Sequence, residues 1–275
     1  MEDQGVRRVQ KTRISASGEH QKQADVLAVE EPLEIRVEGK SVAVVMRTPG
    51  HDQELVAGFL RTEGVVESAD DFFEISPCQS AEGAAEGNVI EVLLRNPDPQ
   101  LLEKLTRHVF SASSCGICGK ATIESVFVNF PSVESGLRVS SEVLLGLPDK
   151  LRSAQENFGQ TGGLHASALF DSTGQMELLR EDVGRHNALD KVIGSSILNQ
   201  QLLLSDRILL VSGRISFELM QKALAGGIPV VAGISAPSSL AVEFAEESGQ
   251  TLVGFLRPNG FNVYANAEKI RESGS

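Results

Sequence analysis

The sequence contains no tryptophan and a single tyrosine, Tyr264, so it has no set of aromatic rings on which single-stranded nucleic acid would stack. Positive charge is scarce too. There are 25 Lys and Arg against 37 Asp and Glu, a formal charge of −12, which repels a phosphate backbone over any long contact. Nucleic acid is therefore not an expected partner, although a local cluster of Arg and Lys can hold one or two phosphates. No apolar run approaches the ~18 residues that a membrane helix needs. The opening MEDQGVRRVQKTRISASGEHQ has no apolar core of the signal-peptide kind, and the expectation is a cytoplasmic protein. Cysteine is sparse, with three in the chain, so no disulfide framework is implied.

What remains is an ordinary globular composition, 41% apolar and 23% charged over 275 residues. That length suits two domains better than one. Residues 1–23 read as a mobile arm. Glu34–Glu38, the turn at Gly39-Lys40 and Ser41–Met46 read as a hairpin. Asp52–Glu63 sets Leu55, Val56, Phe59 and Leu60 on one helical face, stopped by Gly64. Phe72–Ile75 and Asn88–Leu94 are strand-like around the small-residue loop holding Cys78, and Gln100–Phe110 has helical spacing. Residues 24–133 thus form an expected α+β domain ending in a glycine- and serine-rich loop.

From about residue 134 to 270 the pattern becomes α/β. A helix is expected over Glu142–Asn157, interrupted at Pro148, then a hairpin at Ser167–Phe170 and Gln175–Leu179. Helices at His186–Asn199, Phe217–Ala225 and Ser238–Glu247 alternate with short apolar strands at Ile208–Val211, Pro229–Ala232 and Thr251–Phe255. Alternation of this kind implies a sheet sandwiched by helices.

Chemistry concentrates in a few segments. Cys115-Gly116-Ile117-Cys118-Gly119-Lys120 breaks all periodicity and reads as an exposed loop. A thiolate there, favoured by Lys120 and glycine N–H groups, can carry a sulfane sulfur. A second thiol three residues on can close a disulfide and release it. Half a zinc site and an inert loop have the same appearance, and no second CxxC or HxxxH completes a metal set; His51, His108 and His165 are candidate ligands if the fold gathers them. A zinc deaminase is excluded, because His165-Ala166-Ser167 lacks the proton-carrying Glu and the CxxC precedes the His. Cys78 reads as a bystander.

Arg180–Lys191 is the densest polar stretch, with a turn glycine before a helix start. It suits an anion at a helix N-terminus, or equally a self-paired helix cap; His186 and Asp190, one turn apart, are placed to pair. Glycine- and serine-rich turns at Thr161–His165, Val211–Ser216 and Ser235–Ser239, with Arg185, Arg214 and Arg257, suggest a phosphate-binding crevice. Ser238 has the character of an N-cap. His51 suits part of a helix cap.

Taken in order, RTPGHDQELVAGFLRTEG (47–64), SSCGICGK (113–120), TGGLHASAL (161–169), REDVGRHNALDKVIG (180–194), SGRISFELMQKA (212–223), SAPSSLAVEFA (235–245) and TLVGFLRPNGFNVY (251–264) resemble the FdhD family of formate dehydrogenase accessory sulfurtransferases. The resemblance implies a persulfide carrier that accepts sulfur from a cysteine desulfurase and passes it to the molybdenum cofactor, bis-(molybdopterin guanine dinucleotide), for formate dehydrogenase. It implies a homodimer and a C-terminal cytidine-deaminase-like domain of three layers. It places the persulfide on Cys115 with Cys118 as partner, and the cofactor site on Phe255, Leu256, Arg257, Pro258, Asn259 and Gly260. Arg185, His186 and Arg214 extend that site on the physical reading above. No permanently bound metal is expected. A cofactor-binding chaperone without sulfur chemistry is the alternative.

Overall fold

The computed structural model describes residues 5–78, 87–100, 102, 130–200 and 204–272. The CxxC segment, and nearly all of the helix expected at Gln100–Phe110, lie outside them.

The first element corrects an expectation. Residues 1–23 read as an arm because they are polar, yet β1 (Val6–Ile14) and β2 (His20–Ala28) pair in antiparallel register from Val6↔Ala28 to Ile14↔His20. β-Branched and long side chains alternate on both strands, and Gly18 takes the left-handed conformation in the connection. The ribbon carries Arg7, Arg8, Lys11, Arg13 and Lys22 against Glu19 and Asp25, and its distal half is exposed on both faces. Such a ribbon has little core of its own.

β3 (Glu31–Val37) and β4 (Lys40–Arg47) form the expected hairpin. Positive φ at both Glu38 and Gly39 gives the turn the twist that two-residue hairpins require. With β5 (Phe72–Pro77) and β6 (Val89–Leu94) they make a four-stranded sheet, order β4-β3-β6-β5. α1 (Asp52–Thr62) buries Leu55, Val56 and Leu60 against it.

The larger sheet has six strands, in the order β13-β12-β11-β10-β8-β9. β10 (Ile208–Val211), β11 (Val230–Gly233) and β12 (Thr251–Arg257) run parallel. β8 (His165–Phe170) and β13 (Gly260–Ala265) flank them antiparallel, and β9 (Met176–Asp182) pairs antiparallel with β8 at the edge. Period-two alternation divides the central side chains. Ile208, Leu210, Val230 and Ala232 face Leu144, Leu147 and Leu151 of α2 (Ser141–Ala154). Leu209, Val211 and Val231 face α4 (Arg185–Leu198), α5 (Phe217–Ala225) and α6 (Ser239–Ser248). The architecture is the expected mixed α/β one, three layers deep. The core on the α4 side continues into the four-stranded sheet, so the two halves of the chain share apolar contacts.

Two boundaries differ from expectation. The helix interruption falls at Gln155, where φ −79 and ψ 83 leave the helical region, and not at Pro148. Proline costs one backbone bond in a helix interior, and the burial of Pro148 with Leu144, Leu147 and Leu151 offsets it. α3 (Glu156–Thr161) then restarts. β9 runs on through Arg180, Glu181 and Asp182, because each of these charges finds a partner across the fold.

α1 crosses α4 at two glycines. A Cβ on Gly58 would lie 1.8 Å from the Asp190 carbonyl oxygen, and one on Gly194 would lie 1.8 Å from that of Glu54. Both contacts are with backbone, which cannot yield. Gly58→Ala and Gly194→Ala should therefore each cost on the order of 3 kcal/mol or abolish folding. Gly146→Ala, in α2 with open space around it, should gain about 0.5–1 kcal/mol from reduced unfolded-state freedom. Urea unfolding of the three variants checks both signs.

Candidate functional site

The three parallel strands end on one side of the sheet, at Val211, Gly233 and Arg257, and β8 begins there at His165. A crevice beyond the carboxyl ends of parallel strands is where open α/β sheets bind ligands. Reciprocal bonds hold its centre, since Ser212 N donates to the Ala166 carbonyl at 2.9 Å and Ala166 N donates to Ser212 Oγ at 2.9 Å. Gly213 packs closely on the imidazole, for a Cβ there would lie 3.2 Å from His165 Nδ1.

The N-terminus of α4 opens on the same crevice. Its cap residue is Gly184, whose N–H donates to Asp182 Oδ1 at 2.8 Å. The first turn holds Arg185 and His186 and no acid, although a helix start favours negative charge. The Nε of Arg185 is buried and has no partner among the described residues. Burial, then Arg185 and Arg214, lower the pKa of His165. Burial and Arg185 are also the leading causes that bring His186 down to about 3. His186 is therefore neutral at pH 7, and its 3.2 Å contact with Glu218 is a hydrogen bond donated by Nε2. Two arginines, neutral imidazoles and free helix N–H groups in one place form an environment that attracts an anion.

The expected His186–Asp190 pair is not made. Asp190 turns away from the crevice to bind Lys222 Nζ at 2.9 Å and Thr62 Oγ1 at 3.0 Å. Burial pushes its carboxyl up to about 6 against the pull of Lys222, whose pKa is raised by Asp190. The stretch Arg180–Lys191 is thus neither wholly a ligand site nor a solvated cap. Arg185 lies beside Gly213 and His186 beside Ser216 and Glu218, while Asp182 meets Lys191 at 2.7 Å in a pair that is about 1% exposed. Thr48 clasps that pair, with its N–H donating to Asp182 Oδ2 at 3.1 Å and its carbonyl accepting from Lys191 Nζ at 2.8 Å.

The segment 255–260 lies at the end of β12 and in the turn to β13. Phe255 is 45% exposed and holds φ +52, a left-handed conformation that bulky residues rarely adopt. Its N–H donates to the Ser235 carbonyl, and the β12–β13 register shifts at this point. Strained, exposed backbone of this kind clusters at ligand sites. Leu256 is fully buried in the core on the α2 side. Arg257 donates Nη1 to the Leu256 and Ile234 carbonyls and lines a cavity of about 540 Å³ with His165, Ser212, Gln155, Arg152 and Phe158. Pro258 and Asn259 form the exposed turn, and Gly260 starts β13. Arg214 is exposed on the loop after β10.

A second cavity of about 320 Å³ adjoins the first and shares Leu164 with it. Thr48, His51, Asn157, Arg180, Glu181 and Lys191 line it. His51 caps α1 with φ +59 but makes no side-chain cap bond; its Nδ1 lies 3.4 Å from Glu54 Oε2. Glu54 receives the Arg180 fork at 2.5 and 2.7 Å. Sequence reasoning overlooked Gln155, Arg152 and Phe158, because a Gln and an Arg in an expected helix carry no signal until the helix breaks beside them. Among the described residues no group of three or more His, Cys, Asp or Glu is placed to hold a metal, and no helix is long and apolar enough to cross a membrane. Cys115, Cys118 and His108 lie outside the described residues.

Comparison with known proteins gives a consistent outcome. The model of the FdhD/NarQ family matches residues 28–271. The chain is 50% identical over 255 residues to a protein of Streptomyces coelicolor named sulfur carrier protein FdhD, covering 90% of this chain and 89% of the relative. A Sulfurisphaera tokodaii protein of the same name is 45% identical over 249 residues, covering 90% and 92%. A crystal structure of a proposed formate dehydrogenase accessory protein from Desulfotalea psychrophila superimposes with a TM-score of 0.75 at 24% identity, covering 97% of this chain and 99% of that one. That likeness concerns the fold.

The Glu54–Arg180 pair joins α1 to β9 and titrates. Burial pushes the Glu54 carboxyl up, but Arg180 and His51 outweigh it and hold the carboxyl at about 2. A depressed carboxylate stabilises the fold above its unfolded value of about 4.3 and loses that contribution as pH falls toward the folded value. Glu54→Gln should lower the urea midpoint at pH 7, and the gap to the parent protein should narrow by pH 3.5. A gap independent of pH would show that the ion pair does not supply the stabilisation.

Proposed function

Because the chain belongs to the FdhD/NarQ family, we propose that it carries sulfur as a persulfide on Cys115 and delivers it to a molybdenum cofactor bearing guanine nucleotides. What supports the acceptor half is the cavity at the carboxyl ends of β10–β12, which Arg257 lines together with His165, an imidazole that feels the charges of Arg185 and Arg214. Fixed N–H donors and guanidinium groups match phosphate oxygens in charge and geometry. The neutral His165 and His186 supply hydrogen bonds there without adding charge.

The sulfur half rests on the sequence of the Cys115–Lys120 loop and on the family. In the loading step the Cys115 thiolate attacks the outer sulfur of a desulfurase persulfide, and the desulfurase cysteine leaves as thiolate. In the unloading step the Cys118 thiolate attacks Cys115 Sγ. The outer sulfur then leaves at the sulfide level, and the two cysteines are left as a disulfide that a cellular dithiol must reduce. The cofactor is substrate here. In this reading formate dehydrogenase is the destination of the sulfurated cofactor, the protein works in the cytoplasm, and two copies associate as a homodimer. The competing reading is a chaperone that uses the same crevice and does no sulfur chemistry.

Incubation with a cysteine desulfurase and cysteine, followed by peptide mass measurement without reductant, separates the two. A gain of about 32 Da on the Cys115 peptide is expected, abolished in Cys115→Ala and retained in Cys118→Ala with slower release. Absence of added sulfur on an intact, reduced protein would remove the carrier reading. Arg257→Ala should leave loading unchanged and weaken nucleotide binding by about 1.5–3 kcal/mol, the worth of a hydrogen bond to a charged group, measured by calorimetry.

A further inference from the structure

The β1–β2 ribbon contributes to neither apolar core. Apart from its base it is exposed on both faces, and the match to the FdhD/NarQ family begins only at residue 28. Ordering two nine-residue strands costs conformational entropy that contacts within the chain return only near the base. That imbalance points to a use outside the chain.

The ribbon is rooted beside the larger cavity. β2 packs along α3, and a Cβ on Gly163 would lie 3.7 Å from that of Ala28. Phe158, Gly162 and Gly163 of the same segment line the cavity, and both glycines are exposed. The ribbon thus springs from the rim of the cavity, and nine extended residues reach about 30 Å.

Its charge stands on two faces. Arg8 and Lys22 are on one side, opposite Val26 and Thr12 in the register, and Arg7, Lys11 and Arg13 are on the other. Lys11 binds Asp25 at 2.9 Å and Arg7 lies 3.9 Å from Glu31, whereas Arg8, Arg13 and Lys22 form no ion pair among the described residues. A membrane is a plane and meets one face at a time. A cleft lined by carboxylates meets both. Nucleic acid is disfavoured, because the ribbon has no aromatic side chain and the chain carries −12.

We infer that the ribbon is a docking arm for the protein that receives the cofactor, and that it enters an acidic cleft beside that protein's cofactor entrance. A receiver must stand at the rim where the cofactor is released, and whatever stands there lies against the ribbon. This rests on the reading that the cavity holds the cofactor, in which the receiver is formate dehydrogenase.

Calorimetry tests the inference with the full chain and the catalytic subunit of formate dehydrogenase purified without its cofactor, at about 50 mM and about 500 mM NaCl. Arg8, Arg13 and Lys22 are the residues to change, since no ion pair of theirs holds the ribbon together. The combined variant Arg8→Glu, Arg13→Glu and Lys22→Glu should bind about tenfold or more weakly at the lower salt. The parent should lose a similar factor between the two salt concentrations, and the variant less. The neutral set Arg8→Gln, Arg13→Gln and Lys22→Gln should fall between them, and it carries the test if the reversed protein does not fold. Equal affinity of parent and variants, an affinity that salt leaves unchanged, or no binding of the subunit would overturn the inference. Variants that bind normally but self-associate would also overturn it, because the cations would then serve only to guard free strand edges. Ribbon-dependent binding to anionic phospholipid vesicles in place of the subunit would make the occupant a membrane and likewise overturn it. Sulfur loading on Cys115 is measured on the parent in parallel. A parent that takes no sulfur, while the ribbon variants lose affinity, refutes the carrier reading alone. A parent that takes sulfur, while the variants bind as well as it does, refutes the docking role alone.

Discussion

The structure is organised around the place where α1 lies directly on α4. Gly58 and Gly194 allow the two helix backbones to touch, so the helices sit closer than any pair separated by side chains. At that distance there is no room for water, and polar groups around the crossing must be satisfied by protein. Lys222 reaches Asp190 and Thr62 on one side, and Lys191 reaches Asp182 and the Thr48 carbonyl on the other. Removing one partner from such a pair leaves a buried charge uncompensated, which makes the arrangement specific even where it adds little net stability. Arg47 extends the network. It is 2% exposed and binds Asp52 with two nitrogens and Asn88 with one, which ties the start of α1 to two strands of the smaller sheet.

That crossing in turn sets the position of the crevice. Asp182 cannot move without disturbing Lys191 and the loop at Thr48, and the cap of α4 hangs from Asp182 through Gly184 and Asn187. Arg185 and His186 therefore leave the helix at a fixed angle toward the carboxyl ends of the parallel strands. The active face is held by contacts on the opposite side of the helix, so its cations can stay partly unpaired while the fold remains well defined.

Much of this was legible in the sequence wherever one period dominated. The apolar strands β10 and β11 and the amphipathic α1 and α5 could be placed from residue spacing, and the β3–β4 hairpin from turn chemistry, although its turn is Glu38-Gly39 and not Gly39-Lys40. Misreadings arose where long-range partners decide local structure. The expected strand stopped at Leu179, yet Arg180, Glu181 and Asp182 are strand residues because Glu54, the N-terminus of α3 and Lys191 receive them. His186 and Asp190 are spaced to pair on a helix, yet Lys222, 32 residues away in sequence, takes the carboxylate. Pro148 looked like the helix break, and Gln155 is the break. The β1–β2 ribbon escaped notice because alternation without burial has no hydrophobic signature. For the site itself, the arginines and the turn at Phe255 stood out by type, whereas Arg152, Gln155 and Phe158 line the larger cavity around a helix break that residue spacing did not display.

The same ribbon gives the molecule a directional character that its net charge conceals. Five cations against two carboxylates stand on a projecting arm, while the chain as a whole carries −12. Charge separated in this way is an electric dipole of molecular length, and its field reaches about a Debye length, ~8 Å at physiological ionic strength, beyond the surface. A charged body drifting toward the protein experiences a torque before any contact forms. Collisions are thereby sorted by orientation, and added salt erases the sorting.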